Sequence, residues 1–258
     1  MMNKKQISLQ VYTARNFKPY ESIFKFLSKC GFQNLELFEV EAFDETKDLL
    51  EKYNLTARSS HIGFDTLKNP KEIISSLQKL NIKYAIVPCP PGKPGEKFEE
   101  IFNKNENEWN LFGKELSSYV KIFEDNGLTL GYHNHAFEFY KLPSGKMPIE
   151  CILDHNENLK YEIDLGWLVA GKADPIFWTK KYATRIVACH IKDFISSDKD
   201  LLNHESQCAI GEGFIDWKLI IKEIKKTPCE IYAIEHDNPK NYMEYVSKSL
   251  NYLTSLEV

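Results

Sequence analysis

Short apolar runs alternate with helical patterns along the chain, and this alternation limits the possible folds more than any other feature. Eight runs have the composition of buried strands, and helical periodicity follows them. The predicted strands are Ile7–Tyr12, Asn34–Phe38, Thr56–His61, Tyr84–Pro88, Leu128–His135, Lys160–Asp164, Arg185–Ile191 and Glu230–Glu235. Strands that alternate with helices indicate a parallel sheet, and eight such units indicate a sheet closed into a barrel.

The chain shows no boundary between domains. Its 258 residues contain no linker, low-complexity segment or break in composition, and α/β barrels commonly reach this length as one domain. We therefore predict an α/β fold, a single (β/α)8 TIM barrel over residues 1–258. After the fourth strand, the pattern predicts one long polar helix at about Lys97–Asn126.

Charge and composition exclude several classes of partner. With 33 basic and 37 acidic residues and a formal net charge of -4, the chain lacks the basic excess that binds a nucleic-acid backbone. We expect no signal peptide, and no run approaches the roughly 20 apolar residues that span a bilayer. Six cysteines without Cys-x-x-Cys spacing are expected to be reduced. These features predict a cytoplasmic protein without a nucleic-acid or membrane partner.

Alternation along the strands also predicts which side chains enter the barrel. Residues two apart on a strand share a face, and the apolar face of each strand packs against the surrounding helices. Ionisable side chains then point inward near the carboxyl ends of the strands, where barrel enzymes have their active sites. These inward residues are Glu36, His61, His133, Glu162, Asp164, His190, Lys192, Glu235 and Asp237. For Glu36 we expect a structural role in the barrel floor.

Several carboxylates at one barrel mouth require a cation, because they would otherwise repel each other or become protonated. Asp164, His190 and Glu235 converge there with either His133 or Glu138. Carboxylate oxygens and imidazole nitrogens without thiolate are ligands for manganese, magnesium, cobalt or zinc. We therefore expect one divalent metal ion, and the sequence leaves its identity open.

Five segments carry a resemblance to a known family. They are EIDLGW at 162–167, AGKADP at 170–175, RIVACHIKD at 185–193, GEG at 211–213 and IEHD at 234–237. Together they resemble the sugar phosphate isomerase/epimerase family. These are xylose isomerase-like TIM barrels that include ketose 3-epimerases, hydroxypyruvate isomerases and inosose dehydratases. The resemblance extends from about Ile7 to Leu253.

The resemblance implies a metal held by a glutamate of the fifth strand, an aspartate of the sixth, a histidine of the seventh and a glutamate of the eighth. Asp164, His190 and Glu235 match the last three positions. The fifth strand departs, because residues 133–135 read His-Asn-His where many relatives have Glu-Asn-His. We favour Glu138 as the fourth ligand, since it adds a third carboxylate to neutralise the ion. The first histidine of the triplet is the alternative ligand.

The same residues suit removal of a proton from a carbon next to a carbonyl, a reaction that needs a cation near the substrate oxygens and a positioned base. Candidates for the base are Glu235, Glu138 and His135. Candidates for contacts with a small carbohydrate substrate are His61, His133, Lys192, Trp167, Glu212 and Asp237. Lys192 has an alternative role, pairing with Glu162 or Asp237.

Three functions are compatible with these residues. The first is a metal-dependent sugar or sugar-phosphate isomerase or epimerase. The second is a lyase or dehydratase that acts on a keto-sugar or keto-inositol and begins with the same proton removal. The third is a nuclease resembling endonuclease IV, which needs about three zinc ions and a DNA-binding surface that this acidic chain disfavours. The sequence leaves open the sugar, its phosphorylation and the formation of a homo-oligomer.

Overall fold

Eight parallel strands close into a barrel in the computed structural model, which describes residues 2–38, 43–93 and 95–257. They are β1 (Ile7–Gln10), β2 (Asn34–Phe38), β3 (Thr56–His61), β4 (Tyr84–Val87), β5 (Thr129–His133), β6 (Lys160–Asp164), β7 (Ile186–Ile191) and β10 (Ile231–Ile234). Each strand pairs with the next barrel strand along the chain, and β10 pairs with β1 to close the sheet. The predicted α/β fold, a (β/α)8 TIM barrel, is confirmed.

Helices and one small sheet surround the barrel. The helices are α1 (Tyr20–Cys30), α2 (Phe43–Lys52), α3 (Pro70–Lys79), α4 (Glu106–Ser118), α5 (Val120–Glu124), α6 (Pro148–Leu153), α7 (Leu165–Ala170), α8 (Pro175–Lys181), α9 (Trp217–Ile224) and α10 (Tyr242–Ser255). Strands β8 (Asp193–Phe194) and β9 (Gln207–Cys208) form an antiparallel pair in the long connection after β7. No helix in the described ranges is long and apolar enough to cross a bilayer. The six cysteines, all within these ranges, form no disulfide bond.

The two faces of the barrel strands contribute to different apolar clusters. On β4, Ala85 and Val87 pack in the main core between the strands and the helices. The alternate residues of this strand, Tyr84 and Ile86, belong to a separate small cluster with Val187, Ala188 and Ile231. This small cluster forms an apolar floor inside the barrel, and the polar residues at the strand ends lie above it.

The first and fifth strands end earlier than the sequence pattern predicts. A 3-10 turn at Val11–Ala14 replaces the end of the first strand, and the side chain of Gln10 caps it by accepting from the backbone N–H of Tyr12. After β5, a second 3-10 turn at Ala136–Glu138 follows. Both turns lie in the connections that leave the carboxyl ends of these strands.

The single helix predicted at about Lys97–Asn126 is wrong. The segment contains a 3-10 turn at Phe98–Phe102, followed by α4 and α5. Helix α4 begins at a reciprocal cap: Asn105 accepts from the backbone N–H of Glu108, and the Glu108 carboxylate accepts from the backbone N–H of Asn105. This cap fixes a helix start inside the predicted segment.

The crossing of α4 and α6 provides a test of the packing. A Cβ at Gly113 would lie 2.2 Å from the carbonyl oxygen of Cys151 and 2.8 Å from the Cα of Ile152. We expect Gly113→Ala to lower the free energy of unfolding by about 1–3 kcal/mol through overpacking, despite the higher helix propensity of alanine. Urea denaturation measures this change. Lys114→Ala, an exposed neighbour, should change stability by less than about 0.5 kcal/mol, and equal stability of the two variants would contradict the close crossing.

Candidate functional site

A cluster of carboxylates and imidazoles lies at the carboxyl ends of β5, β6, β7 and β10. The strand register brings its members together, because His133 is paired with Glu162 across β5 and β6, and Asp164 is paired with His190 across β6 and β7. These four residues and Glu235 are buried. The structure therefore brings together Asp164, His190 and Glu235, three of the four residues that the sequence assigns to a metal.

The upper part of this cluster surrounds one unpaired oxygen. Nδ1 of His190 lies 3.0 Å from a carboxylate oxygen of Glu235. Oδ1 of Asp164 accepts from the backbone N–H of Trp167 at 2.7 Å, whereas its Oδ2 has no hydrogen-bond partner among the described residues. That oxygen lies 3.9 Å from Nδ1 of His190 and 3.9 Å from Nε2 of His133. The donor atoms of Asp164, His190 and Glu235 lie close enough together to hold one metal ion.

Protonation in this upper part follows from burial and charge. Burial raises the pKa of Asp164 to about 7, although Lys192 and His190 oppose the change. Burial also lowers the pKa of His133 to about 3, with a smaller contribution from His190. For His190, burial is outweighed by the carboxylates of Glu162, Glu36 and Glu235, which hold its pKa well above the usual value. His133 is therefore a neutral imidazole, the form that binds a metal.

A lower layer of the cluster centres on Glu162. Its Oε2 lies 2.6 Å from Nε2 of His61, 3.1 Å from Nδ1 of His133 and 3.2 Å from Nε2 of His190. Beside it, Glu36 accepts from the side-chain amide of Gln10 at 3.0 Å. Glu36 also contacts Ser59 and Nε2 of His190. This arrangement agrees with the structural role expected for Glu36.

Lys192 is buried among the carboxylates rather than directed to open solvent. Its Nζ lies 3.0 Å from Glu235 and 3.1 Å from Asp237, and it lies 4.3 Å from the centre of the Trp167 ring. Burial lowers the pKa of Lys192, but Asp237 and Glu235 outweigh burial and raise the pKa well above its usual value. Lys192 therefore compensates negative charge inside the cluster. Its pairing with Asp237 is the alternative role that the sequence analysis gave for this lysine.

A cavity of about 590 Å³ opens above the cluster. Its aromatic walls are formed by Tyr12, Phe38, Phe98, Phe137 and Trp167. Polar groups in the lining include His61, His133, His135, Glu235 and Asp237, which were all assigned to the site from the sequence. Such a cavity, with flat apolar walls and a few polar groups on a rigid floor, is typical of a small-molecule site.

His135 follows His133 by two residues and lies at the edge of the cluster. It lines the cavity, and its Nδ1 is buried without a hydrogen-bond partner in the described part of the chain. Burial lowers the pKa of His135 well below the usual value, and His133 adds to the effect. The ring is held at its edge by Phe98, 5.1 Å away between ring centres, and Phe102, 5.5 Å away. The imidazole is therefore held in position and neutral.

The structure places Glu138 outside this cluster, against the preference for it as the fourth ligand and as a base. Its buried carboxylate accepts from the hydroxyl of Tyr132 at 2.7 Å and from the backbone N–H of His135 at 3.0 Å. Tyr132 alternates with His133 on β5 and packs in the core outside the barrel, so Glu138 is directed to the outer side. Burial raises its pKa to about 8. Of the two fifth-strand candidates, His133 is the one beside this cluster, with its Nε2 3.9 Å from Oδ2 of Asp164.

Glu212 also lies apart from the cavity. Its exposed carboxylate pairs with Lys248 at 3.0 Å, at the surface of α10, so the structure gives no support to its predicted contact with substrate. Sequence reasoning missed Arg15, which lines the cavity with its guanidinium over the ring of Tyr12 and donates to the backbone carbonyls of Tyr12 and Asp237. Its position just beyond the first strand was the available signal.

Comparisons with known proteins agree with this architecture. Residues 24–256 match the family described as xylose isomerase-like TIM barrel. An inosose dehydratase of Clostridium beijerinckii is 27% identical over 165 residues, which cover 58% of this chain and 55% of that protein. The chain spans about half the length of this curated relative.

Solved structures are similar over nearly the whole chain. A sugar phosphate isomerase/epimerase from Parabacteroides distasonis superposes with a TM-score of 0.78 at 19% identity, over 97% of this chain and 98% of that chain. The IolI protein with a bound zinc atom superposes with a TM-score of 0.74 at 13% identity, over 97% of each chain. At these identities the superpositions establish the fold alone.

The fourth ligand can be identified by metal titration of two variants. We expect His133→Ala to weaken binding of a divalent ion by at least about 10–100-fold, the range for disturbing even the outer partners of a metal site. Glu138→Gln should keep the affinity of the unmodified protein, because its carboxylate bonds to Tyr132 and the backbone. Isothermal titration with Zn²⁺ and Mn²⁺ measures both constants. Loss of the ion in Glu138→Gln with retention in His133→Ala would restore the preference drawn from the sequence.

The pH dependence of metal affinity tests Asp164 as a ligand. A carboxylate binds a metal in its deprotonated form, and burial raises the pKa of Asp164 to about 7. Below this pKa a proton competes for the carboxylate, so we expect the affinity to fall between about pH 8 and about pH 6. The raised pKa of His190 acts in the same direction. Titrations at both pH values measure the change, and equal affinities would exclude Asp164 as a ligand.

Proposed function

The chain belongs to the xylose isomerase-like TIM barrel family, and from this premise we propose that it is a metal-dependent isomerase or epimerase of a keto-sugar. The observation that carries the proposal is the buried Oδ2 of Asp164, which has no hydrogen-bond partner among the described residues, although Nζ of Lys192 lies 3.7 Å away and imidazole nitrogens lie 3.9 Å away on two sides. A buried carboxylate oxygen in this state is costly unless a cation binds it.

The proposed ligands are Oδ2 of Asp164, Nδ1 of His190, Nε2 of His133 and a carboxylate oxygen of Glu235. All four side chains are buried at the strand ends, and the last two also line the cavity. A bound divalent ion would supply positive charge to the carbonyl and hydroxyl oxygens of a substrate. Lys192 stays paired with Glu235 and Asp237 and keeps their carboxylates from repelling each other.

The cavity suits a carbohydrate substrate. Sugar rings and chains have apolar C–H faces, and the five aromatic side chains of the wall offer flat surfaces for them. The polar groups of His61 and Asp237 lie in the same lining, where they can bond to substrate hydroxyls. Arg15 is held by two backbone carbonyls and gives the wall one fixed positive group.

In the proposed reaction, His135 takes a proton from the carbon next to the substrate carbonyl, and the electron pair of the broken C–H bond moves toward the carbonyl oxygen. His135 is neutral because burial lowers its pKa, and a neutral imidazole at the cavity wall can accept a proton. An isomerase returns the proton to the neighbouring carbon. An epimerase instead delivers a proton from water to the opposite face of the same carbon, while His135 releases its proton to water. Glu235, another candidate base, lines the cavity from β10 as a carboxylate, because burial is outweighed by Lys192 and His190, which hold its pKa well below the usual value.

Similarity to inosose dehydratases favours a second candidate, a dehydratase of a keto-sugar or keto-inositol. The first proton removal is the same in this reaction. The protonated imidazole of His135 then gives its proton to the hydroxyl on the next carbon, which leaves as water while a C–C double bond forms. The two candidates therefore share residues and differ in the fate of one hydroxyl group.

A substrate screen in deuterated water distinguishes these functions. We expect the metal-loaded protein to convert one member of a panel of keto-sugars and keto-inositols, with solvent deuterium in the product. A product that keeps the composition of its substrate identifies an isomerase or epimerase, whereas loss of water identifies a dehydratase. Mass spectrometry and NMR read both outcomes.

His135→Asn should lower kcat by about 100- to 10,000-fold, the usual contribution of a general acid or base, while the bound metal remains. His155→Asn, at an exposed position, serves as the matched control with normal turnover. The proposed reaction would be overturned if the product contained no solvent deuterium and His135→Asn kept the kcat of the unmodified protein.

A further inference from the structure

We propose that Glu162 is a positioning residue that fixes the tautomer and ring orientation of His133, so that this histidine replaces a carboxylate as a metal ligand. The inference rests on the proposed metal-dependent function and concerns the lower layer of the same cluster. Glu162 itself does not bind the ion. Glu162 determines which nitrogen of His133 faces the ion.

The first step is the direction of the two ring nitrogens of His133. Nδ1 lies 3.1 Å from Oε2 of Glu162, a hydrogen-bond distance. Nε2 is directed to the opposite side, 3.9 Å from the unpaired Oδ2 of Asp164. A carboxylate accepts hydrogen bonds, and a neutral imidazole has one N–H group. The proton of His133 therefore lies on Nδ1, and the lone pair of Nε2 faces the proposed ion.

His190 shows the same division with its nitrogens exchanged. Nε2 faces the lower carboxylates, at 3.2 Å from Glu162 and in contact with Glu36, whereas Nδ1 faces Asp164 and Glu235. The two histidines differ in their support. Glu36 is itself held by Gln10 and Ser59, so His190 keeps a carboxylate partner when Glu162 is removed. Among the described residues, Nδ1 of His133 has its polar contact with Glu162.

Strand register explains how Glu162 reaches this position. It is paired with His133 across β5 and β6, and it lies two residues before Asp164 on the same strand face. One strand thus supplies a proposed ligand and the carboxylate that orients a neighbouring ligand. Hydrogen-bonded outer partners of this kind fix the tautomer of metal-binding histidines and raise their basicity.

The lower layer has a competing interpretation as a second metal site. Donor atoms of His61, His133, Glu162 and His190 also lie close enough together to hold an ion. The distances from Glu162 to the three rings, 2.6 Å, 3.1 Å and 3.2 Å, are those of direct hydrogen bonds. We therefore assign one ion to the upper part and hydrogen bonds to the lower layer, and metal stoichiometry decides between the two.

The test combines metal titration with NMR of the apo protein labelled with ¹⁵N-histidine. Wild-type protein should bind one Zn²⁺ per chain, and long-range ¹H–¹⁵N spectra should show His133 with its proton on Nδ1. In Glu162→Gln, we expect the Zn²⁺ affinity to fall about 10–100-fold and the His133 proton to move partly or wholly to Nε2. The resonances of His190, whose two nitrogens both face carboxylates, should keep their wild-type protonation state.

Glu138→Gln is the matched control, because it makes the same change at another fully buried glutamate and should leave affinity and tautomer unchanged. Weaker Zn²⁺ binding in Glu162→Gln with an unchanged His133 tautomer would indicate loss of charge alone and overturn the inference. Binding of two Zn²⁺ ions by wild-type protein and of one by Glu162→Gln would show that Glu162 is a metal ligand. This result would also overturn the inference.

Failure of the proposed function has a different result, since wild-type protein would then bind no Zn²⁺ while the tautomers of the apo protein still report on Glu162. If Glu162→Gln does not fold, the wild-type spectrum decides by itself. A proton on Nε2 of His133 in wild-type apo protein would overturn the inference, and a proton on Nδ1 would support it.

Discussion

Compensation of buried negative charge is the constraint on which the site depends. Four carboxylates lie buried at the barrel mouth: Glu36, Glu162, Asp164 and Glu235. Isolated charges of this kind are far more costly in a protein interior than at its surface. Lys192 and His190 compensate part of the charge through contacts with Glu235, and three imidazoles surround Glu162. Oδ2 of Asp164 and Oε1 of Glu162 are the two oxygens of these carboxylates that stay buried without a hydrogen bond among the described residues.

Closure of the barrel makes this density of ionisable groups possible. Parallel strands place their carboxyl ends at one mouth of the barrel. The register between strands then determines which residues of adjacent strands lie side by side. His133 faces Glu162, and Asp164 faces His190. The apolar floor of Tyr84, Ile86, Val187, Ala188 and Ile231 lies inside the same barrel. Rigid strands therefore hold the charged groups close together, whereas side chains on loops would move apart.

The sequence predicted the fold well because strand and helix periods repeat eight times and each unit supports the others. The same alternation predicted that Asp164 and His190 point inward on neighbouring strands. The preference for Glu138 came from its charge and from the family resemblance, and neither indicated the 3-10 turn at Ala136–Glu138, where the carboxylate bonds to Tyr132 and to the backbone of His135. Alternation contains no information on such turns. Glu212 lies on a connecting loop, where neither strand period nor register predicts a position.

The presence of histidine where many relatives have a glutamate also changes the chemistry of the proposed ligand set. Two imidazole nitrogens and two carboxylates replace one nitrogen and three carboxylates. Imidazole suits zinc, whereas oxygen ligands suit magnesium and manganese, so the substitution shifts the preference toward zinc and removes one negative charge beside the ion. A neutral ligand must also be oriented, because an imidazole binds through one nitrogen and a carboxylate through either oxygen. Glu162 meets this need from the adjacent strand, and its charge remains close enough to offset the lost carboxylate.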